Sequence, residues 1–140
     1  MAIWHNSLNL QSINKFNQNT LMENLDIQVT DYTDISLIGT MPVNSKVHQP
    51  FGVLHGGASC VLAESLGSIA SNLCLDQSKH YAVGLEINAN HVRPTRSGLV
   101  KGVATNVHLG RKTHIWDIKI YDEADKLVCI SRLTMAIMDK

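Results

Sequence analysis

Phe51-Gly52-Val53-Leu54-His55-Gly56-Gly57-Ala58-Ser59-Cys60-Val61-Leu62-Ala63-Glu64-Ser65 decides how the rest of this 140-residue chain is read. A glycine-containing turn runs into an apolar helix, and between Lys46 and Asp76 the only Asp, Glu, Lys or Arg is Glu64. A helix on a protein surface spreads several charges over its wet face. This one has a single charge, so it is expected to be wrapped by protein on nearly all sides. An ionised carboxylate is costly to bury without partners. Glu64 is therefore read as functional, ahead of the plainer reading in which it escapes to water at one edge.

Downstream of the helix the pattern turns to β. Tyr81–Val92 reads as a strand broken before Pro94, because the residue preceding proline is driven to extended backbone. Leu99–His108 follows, with Leu99, Val103 and Val107 on one face; Thr113–Tyr121 puts Trp116, Ile118 and Ile120 on one side. Lys126–Met138 places Leu127, Cys129, Leu133, Met135 and Ile137 together. The connections Thr95–Gly98, Leu109–Lys112 and Asp122–Asp125 are short, which predicts a four-stranded antiparallel meander. Upstream, Gln11–Phe16 reads as a short helix, and Thr20-Leu21-Met22-Glu23 has the form of a capping box. Asp26–Tyr32 and Asp34–Met41 read as two strands, with Ile27 and Val29 on one and Ile35, Leu37 and Met41 on the other, closed by Pro42. One long apolar helix beside antiparallel strands packs with the sheet curled around it, an α+β architecture in one domain, 1–140.

Composition narrows the function. Net charge is zero and only 17% of residues are charged, with basic side chains scattered among acids. That excludes a nucleic-acid footprint and is compatible with self-association. Ala58–Leu75 contains Glu64, Asn72 and four serines, which excludes a membrane span. No basic start followed by an apolar stretch marks the N-terminus, so no signal peptide is read. Cys60, Cys74 and Cys129 are odd in number, lack a C-x-x-C pair, and read as reduced thiols of a cytoplasmic protein. No His/Cys/Asp cluster has zinc spacing, and no metal is expected.

A sheet wrapped on one helix is the hotdog architecture. Leu54-His55-Gly56-Gly57, followed by Glu64 in Leu62-Ala63-Glu64-Ser65, resembles the signature of hotdog acyl-CoA thioesterases of the 4-hydroxybenzoyl-CoA (Arthrobacter-type) and phenylacetate-pathway group. The similarity extends to Gln49-Pro50-Phe51-Gly52 and to Gly84-Leu85-Glu86-Ile87-Asn88-Ala89-Asn90-His91-Val92-Arg93. These stretches resemble the branch of the 1,4-dihydroxy-2-naphthoyl-CoA hydrolases and the enterobactin-pathway proofreading thioesterases. The likeness runs from about Leu21 to Ile137. Pro94 departs from the expected small or polar residue, and the loop Asp76–His80 is slightly longer. Both features bear on which substrate is used rather than on the reaction.

The resemblance implies hydrolysis of an aromatic or medium-sized acyl-CoA, with CoA as part of the substrate and no other cofactor. Thioester hydrolysis needs a donor for the carbonyl oxygen and a carboxylate that attacks or activates water. Gly56 and Gly57 open the helix, where the first N–H groups lack internal partners. By the resemblance, Gly56 N–H is the oxyanion donor, Gln49 orients the same carbonyl, and Glu64 is nucleophile or general base. Ser68, one turn beyond Glu64, either holds the water or carboxylate or serves as a small packing residue. His55 is expected to fix the turn ahead of direct catalysis, and His91 to lie beside the acyl ring or to be a satisfied strand histidine. Arg93 and Arg111, ahead of Arg96 and Lys112, are the candidates for the CoA phosphates.

Gly56 and Glu64 lie eight residues apart, about 12 Å along a helix at ~1.5 Å per residue. One helix cannot bring both to one carbon, so two antiparallel helices in a homodimer are expected to share each site. The resemblance extends this to a dimer of dimers, a homotetramer. The alternatives are a hotdog hydratase or dehydratase with a His base, and a non-catalytic acyl-CoA binding protein.

Overall fold

The computed structural model describes residues 1–140. Two short helices, α1 (Leu10–Phe16) and α2 (Leu21–Asn24), precede strands β1 (Gln28–Tyr32) and β2 (Ser36–Pro42). The long helix α3 spans Gly56–Leu73, followed by β3 (His80–His91), β4 (Leu99–Leu109), β5 (Thr113–Tyr121) and β6 (Leu127–Asp139). All six strands join one antiparallel sheet in the order β1-β2-β4-β5-β6-β3. This is the expected hotdog arrangement, a sheet curved around one long helix.

The core lies between α3 and the concave face of the sheet. Leu62 and Leu66 from the helix meet Leu37, Met41, Val100, Trp116, Ile118, Ile120, Leu133 and Met135, all fully buried. The Trp116 indole N–H donates to Ser71 Oγ at 2.7 Å, fixing β5 to the helix. Leaving that buried donor unpaired would cost about 1–3 kcal/mol. The alternation expected in β5 and β6 is present: Trp116, Ile118 and Ile120 face inward, as do Cys129, Leu133 and Met135.

Five expectations need correction. The meander has three strands, β4-β5-β6, because β3 pairs with β6 at the far edge of the sheet. Segment 92–98 makes this crossing. Extended at roughly 3.3 Å per residue it spans about 20 Å, more than the ~15 Å of three strand spacings. It is tied beneath the helix start, where Leu54 N–H donates to Thr95 O at 2.8 Å and His48 Nε2 pairs with Arg96 O at 2.9 Å.

In β4 the helix-facing side carries Val100, Gly102 and Ala104, whereas Leu99 and Val107 are exposed. Gly39 and Gly102 are register partners on β2 and β4. A Cβ on either would stand 2.7 Å from a Leu66 methyl carbon, so small residues let the helix settle onto the sheet. Ile35 likewise lies outside β2 and is exposed. At α2, Thr20 caps Met22 N–H, but the Glu23 carboxylate accepts from Asn19, so the reciprocal capping box does not form. Finally, α3 is buried on its sheet side only. Cys60, Val61, Glu64, Ser65, Ser68 and Ile69 are half-buried on the other face.

Candidate active site

The loop before α3 is closed by a bridge between His48 and Leu54 and turns at Gly52, whose φ of 74° is the left-handed conformation that glycine adopts without strain. Phe51 N–H donates to Gln49 Oε1. That contact sets the amide orientation, and the Gln49 Nε2 donors have no partner in the chain. His55 is the N-cap of α3. Its Nδ1 accepts from Gly57 N–H at 2.8 Å, and its carbonyl accepts from Ala58 and Ser59 N–H at 3.0 and 3.2 Å. With Nδ1 an acceptor, the neutral ring carries its proton on Nε2.

Of the four N–H groups that open the helix, His55 satisfies three. Gly56 N–H alone has no acceptor in the chain. It sits at the positive end of an 18-residue helix dipole, where a developing oxyanion is stabilised. The His91 ring lies against it, its Nε2 2.7 Å from where a Gly56 Cβ would stand. β3 thus delivers His91 to the helix start, and Arg93, two residues further on, is exposed at the same end.

Glu64 lies two turns along α3. Its carboxylate is half-buried and makes no hydrogen bond or ion pair within the chain. It rests against Gly84 of β3, where an added Cβ would overlap Oε1. Ser68, the next turn, donates its hydroxyl to Met135 Sδ at 3.6 Å and makes no hydrogen bond to Glu64. Cys60, one turn before Glu64, is half-buried. Burial and the Glu64 charge push its thiol up, which keeps it protonated and weakly nucleophilic at neutral pH. Burial alone pushes Cys74 up to about 12; for Cys129, burial first and then the neighbouring Cys60 give about 11.

The sequence-predicted residues thus divide into three places. Gln49, His55, Gly56, His91 and Arg93 gather at the N-terminal end of α3. Glu64 and Ser68 lie on its middle turns. Arg111 lies at the opposite end, where it lines a cleft of about 580 Å³ with Leu75, His80, Lys112 and Asp139. Arg93 and Arg111 therefore do not meet within one chain.

Asn72, which the sequence does not single out, ties β3 to α3. Its amide brackets the Ala82 backbone, accepting from N–H at 2.9 Å and donating to the carbonyl at 3.2 Å, and so fastens β3 to the C-terminal part of α3. The one signal in the sequence was a polar residue two turns beyond Glu64 on an apolar helix. No group of three or more His, Cys, Asp or Glu is placed to hold a metal ion, and no helix is long and apolar enough to cross a membrane.

A sheet curved on one helix, a free N–H at the helix start and an unpartnered carboxylate in its middle form the framework of a hotdog thioester hydrolase. Residues 51–129 match the thioesterase superfamily, and the chain belongs to that family. It is similar to the 1,4-dihydroxy-2-naphthoyl-CoA hydrolase of Escherichia coli, at 48% identity over 97% of this chain and 99% of the relative. It is also similar to the proofreading thioesterase EntH of Cronobacter turicensis, at 46% identity over 97% and 98%. A crystal structure of a mutant thioesterase from Pseudomonas aeruginosa superposes with a TM-score of 0.98, at 50% identity over 99% of this chain and all of that one.

Proposed function

We propose that this thioesterase hydrolyses a CoA thioester bearing an aromatic or medium-sized acyl group, releasing the acid and free CoA in the cytoplasm. The observation that carries the reading is the unpartnered Glu64 carboxylate on the same helix as the acceptor-free Gly56 N–H. The thioester oxygen accepts from Gly56 N–H and from the Gln49 amide, which favours the tetrahedral adduct over the planar ester. Glu64 either attacks the carbonyl carbon, giving a mixed anhydride that water then opens, or takes the proton of an attacking water. Both routes expel CoA thiolate and use the same carboxylate. The CoA thioester named in the Escherichia coli relative, a 1,4-dihydroxy-2-naphthoyl-CoA hydrolase, supports the substrate class.

The ~12 Å between Gly56 and Glu64 along α3 calls for two chains per site. β3, with Tyr81, Val83 and Leu85 exposed along a sheet edge, supports pairing of two copies through that edge. Glu64 of one copy then serves Gly56 and Gln49 of the other, with a dimer of dimers as the larger assembly. Arg93 and Arg111, at opposite ends of α3 within each chain, supply separate cationic sites for the CoA phosphates.

A panel of aryl- and medium-chain acyl-CoAs assayed with a thiol reagent tests the activity. Thiol release supports the reading. A change in double-bond absorbance without thiol release would point to a hydratase, and binding without turnover to an acyl-CoA binding protein; either outcome rejects it.

A further inference from the structure

β3 changes phase halfway along its length. Its pairing with β6 runs His80↔Asp139 to Gly84↔Met135, then resumes at Glu86↔Thr134, leaving Leu85 as an extra residue in a bulge. Side chains alternate with period two along a strand, so one inserted residue exchanges the faces beyond it. Before the bulge the helix-facing positions are Ala82, buried, and Gly84, against Glu64. After it they are Ile87 and Ala89, packed on the core, and His91, against Gly56. Without the bulge, Gly84 and His91 would lie on opposite faces. Leu85 itself is expelled and 64% exposed.

The contact at Gly84 has a definite consequence for the carboxylate. The atom an added Cβ would overlap is Glu64 Oε1, with Cδ 3.4 Å away, and no backbone atom is near. Oε1 is the end of a flexible side chain, so the fold can absorb a methyl there only by moving the carboxylate. Asn72 holds the strand two residues earlier through both peptide groups of Ala82, so β3 does not yield instead.

We infer that Gly84, at the start of the Leu85 bulge and braced by Asn72, is a positioning residue that sets where the Glu64 carboxylate stands. The inference rests on the reading of Glu64 as the reacting group. A displacement of about 1 Å in a reacting group costs up to roughly a hundredfold in rate. Gly84→Ala is therefore expected to lower kcat about ten- to a hundredfold, with KM within about twofold and the melting transition unchanged.

The decisive comparison repeats the substitution in Glu64→Asp. That carboxylate is one methylene shorter and clears the new Cβ, so Gly84→Ala should cost less than about threefold there. Unchanged kcat in Gly84→Ala, alongside an inactive Glu64→Gln, would overturn the role of Gly84 and leave that of Glu64 standing. An equal fall in both backgrounds would mean general damage to the strand and would also overturn it. Full activity in Glu64→Gln would instead reject the reading of Glu64 itself.

Discussion

The imidazole of His91 lies flat against Gly56, its Nε2 only 2.7 Å from the point a Cβ would occupy. The first residue of α3 therefore has an aromatic wall on one side and an N–H without an acceptor. Gly56→Ala adds a methyl that must push the ring away and crowd the approach to that N–H. Losing one oxyanion donor costs about 10²–10³ in kcat. A fall of that order is expected in steady-state assays of Gly56→Ala.

His114 gives the fold a pH dependence separate from catalysis. It is 3% exposed on β5, its Nδ1 has no hydrogen-bond partner, and burial, with a smaller contribution from His108, lowers its pKa below the ordinary 6.5. The unfolded chain thus takes up a proton near pH 6.5 that the folded chain refuses. This contribution to stability is complete above that pH and is lost as pH falls towards the folded-state value. Urea unfolding at pH 7.5 and pH 5.5 should show a loss of stability at the lower pH that is smaller in His114→Leu.

Within one chain Arg93 and Arg111 lie at opposite ends of α3, so their substitutions should behave as independent events. If each grips phosphate, Arg93→Ala and Arg111→Ala raise KM for CoA esters and weaken its dependence on salt, with additive effects in the double variant. A thioester lacking the nucleotide should be indifferent to both. Equal losses on both substrates would assign these arginines to the fold.

Sharing of each site by two chains is tested by refolding Glu64→Gln and Gln49→Ala together. Each mixed dimer places both lesions in one site and leaves the other intact. Random pairing then restores about a quarter of wild-type activity, since half the dimers are mixed and each has one good site of two. Mixed dimers that show no recovery would place the whole site in one chain.

What could be read from the sequence followed large and charged residues. The single charge on α3 singled out Glu64, and Trp116, Ile118 and Ile120 displayed the inner face of β5 because nothing small interrupted them. β4 was read inside out for the opposite reason. Close approach of Leu66 requires Gly102 at the contact, which leaves Leu99 and Val107 as the conspicuous apolar residues although they face outward. The place of β3 is hidden in the sequence because a short loop ordinarily joins neighbouring strands, whereas a curved sheet lets segment 92–98 cross beneath the helix start. The bulge at Leu85 left no periodic signature. Both strand halves are short, and the phase change becomes visible only when Gly84 meets Glu64 and His91 meets Gly56.

Turnover of Glu64→Gln is the most direct test of all. The substitution keeps the shape and hydrogen-bonding capacity of the side chain but removes the charge needed for attack or proton transfer. Catalysis by Glu64 predicts a fall in kcat of roughly two or more orders of magnitude on the best acyl-CoA of the panel, with binding largely retained. Near-wild-type turnover in a folded Glu64→Gln protein would contradict it.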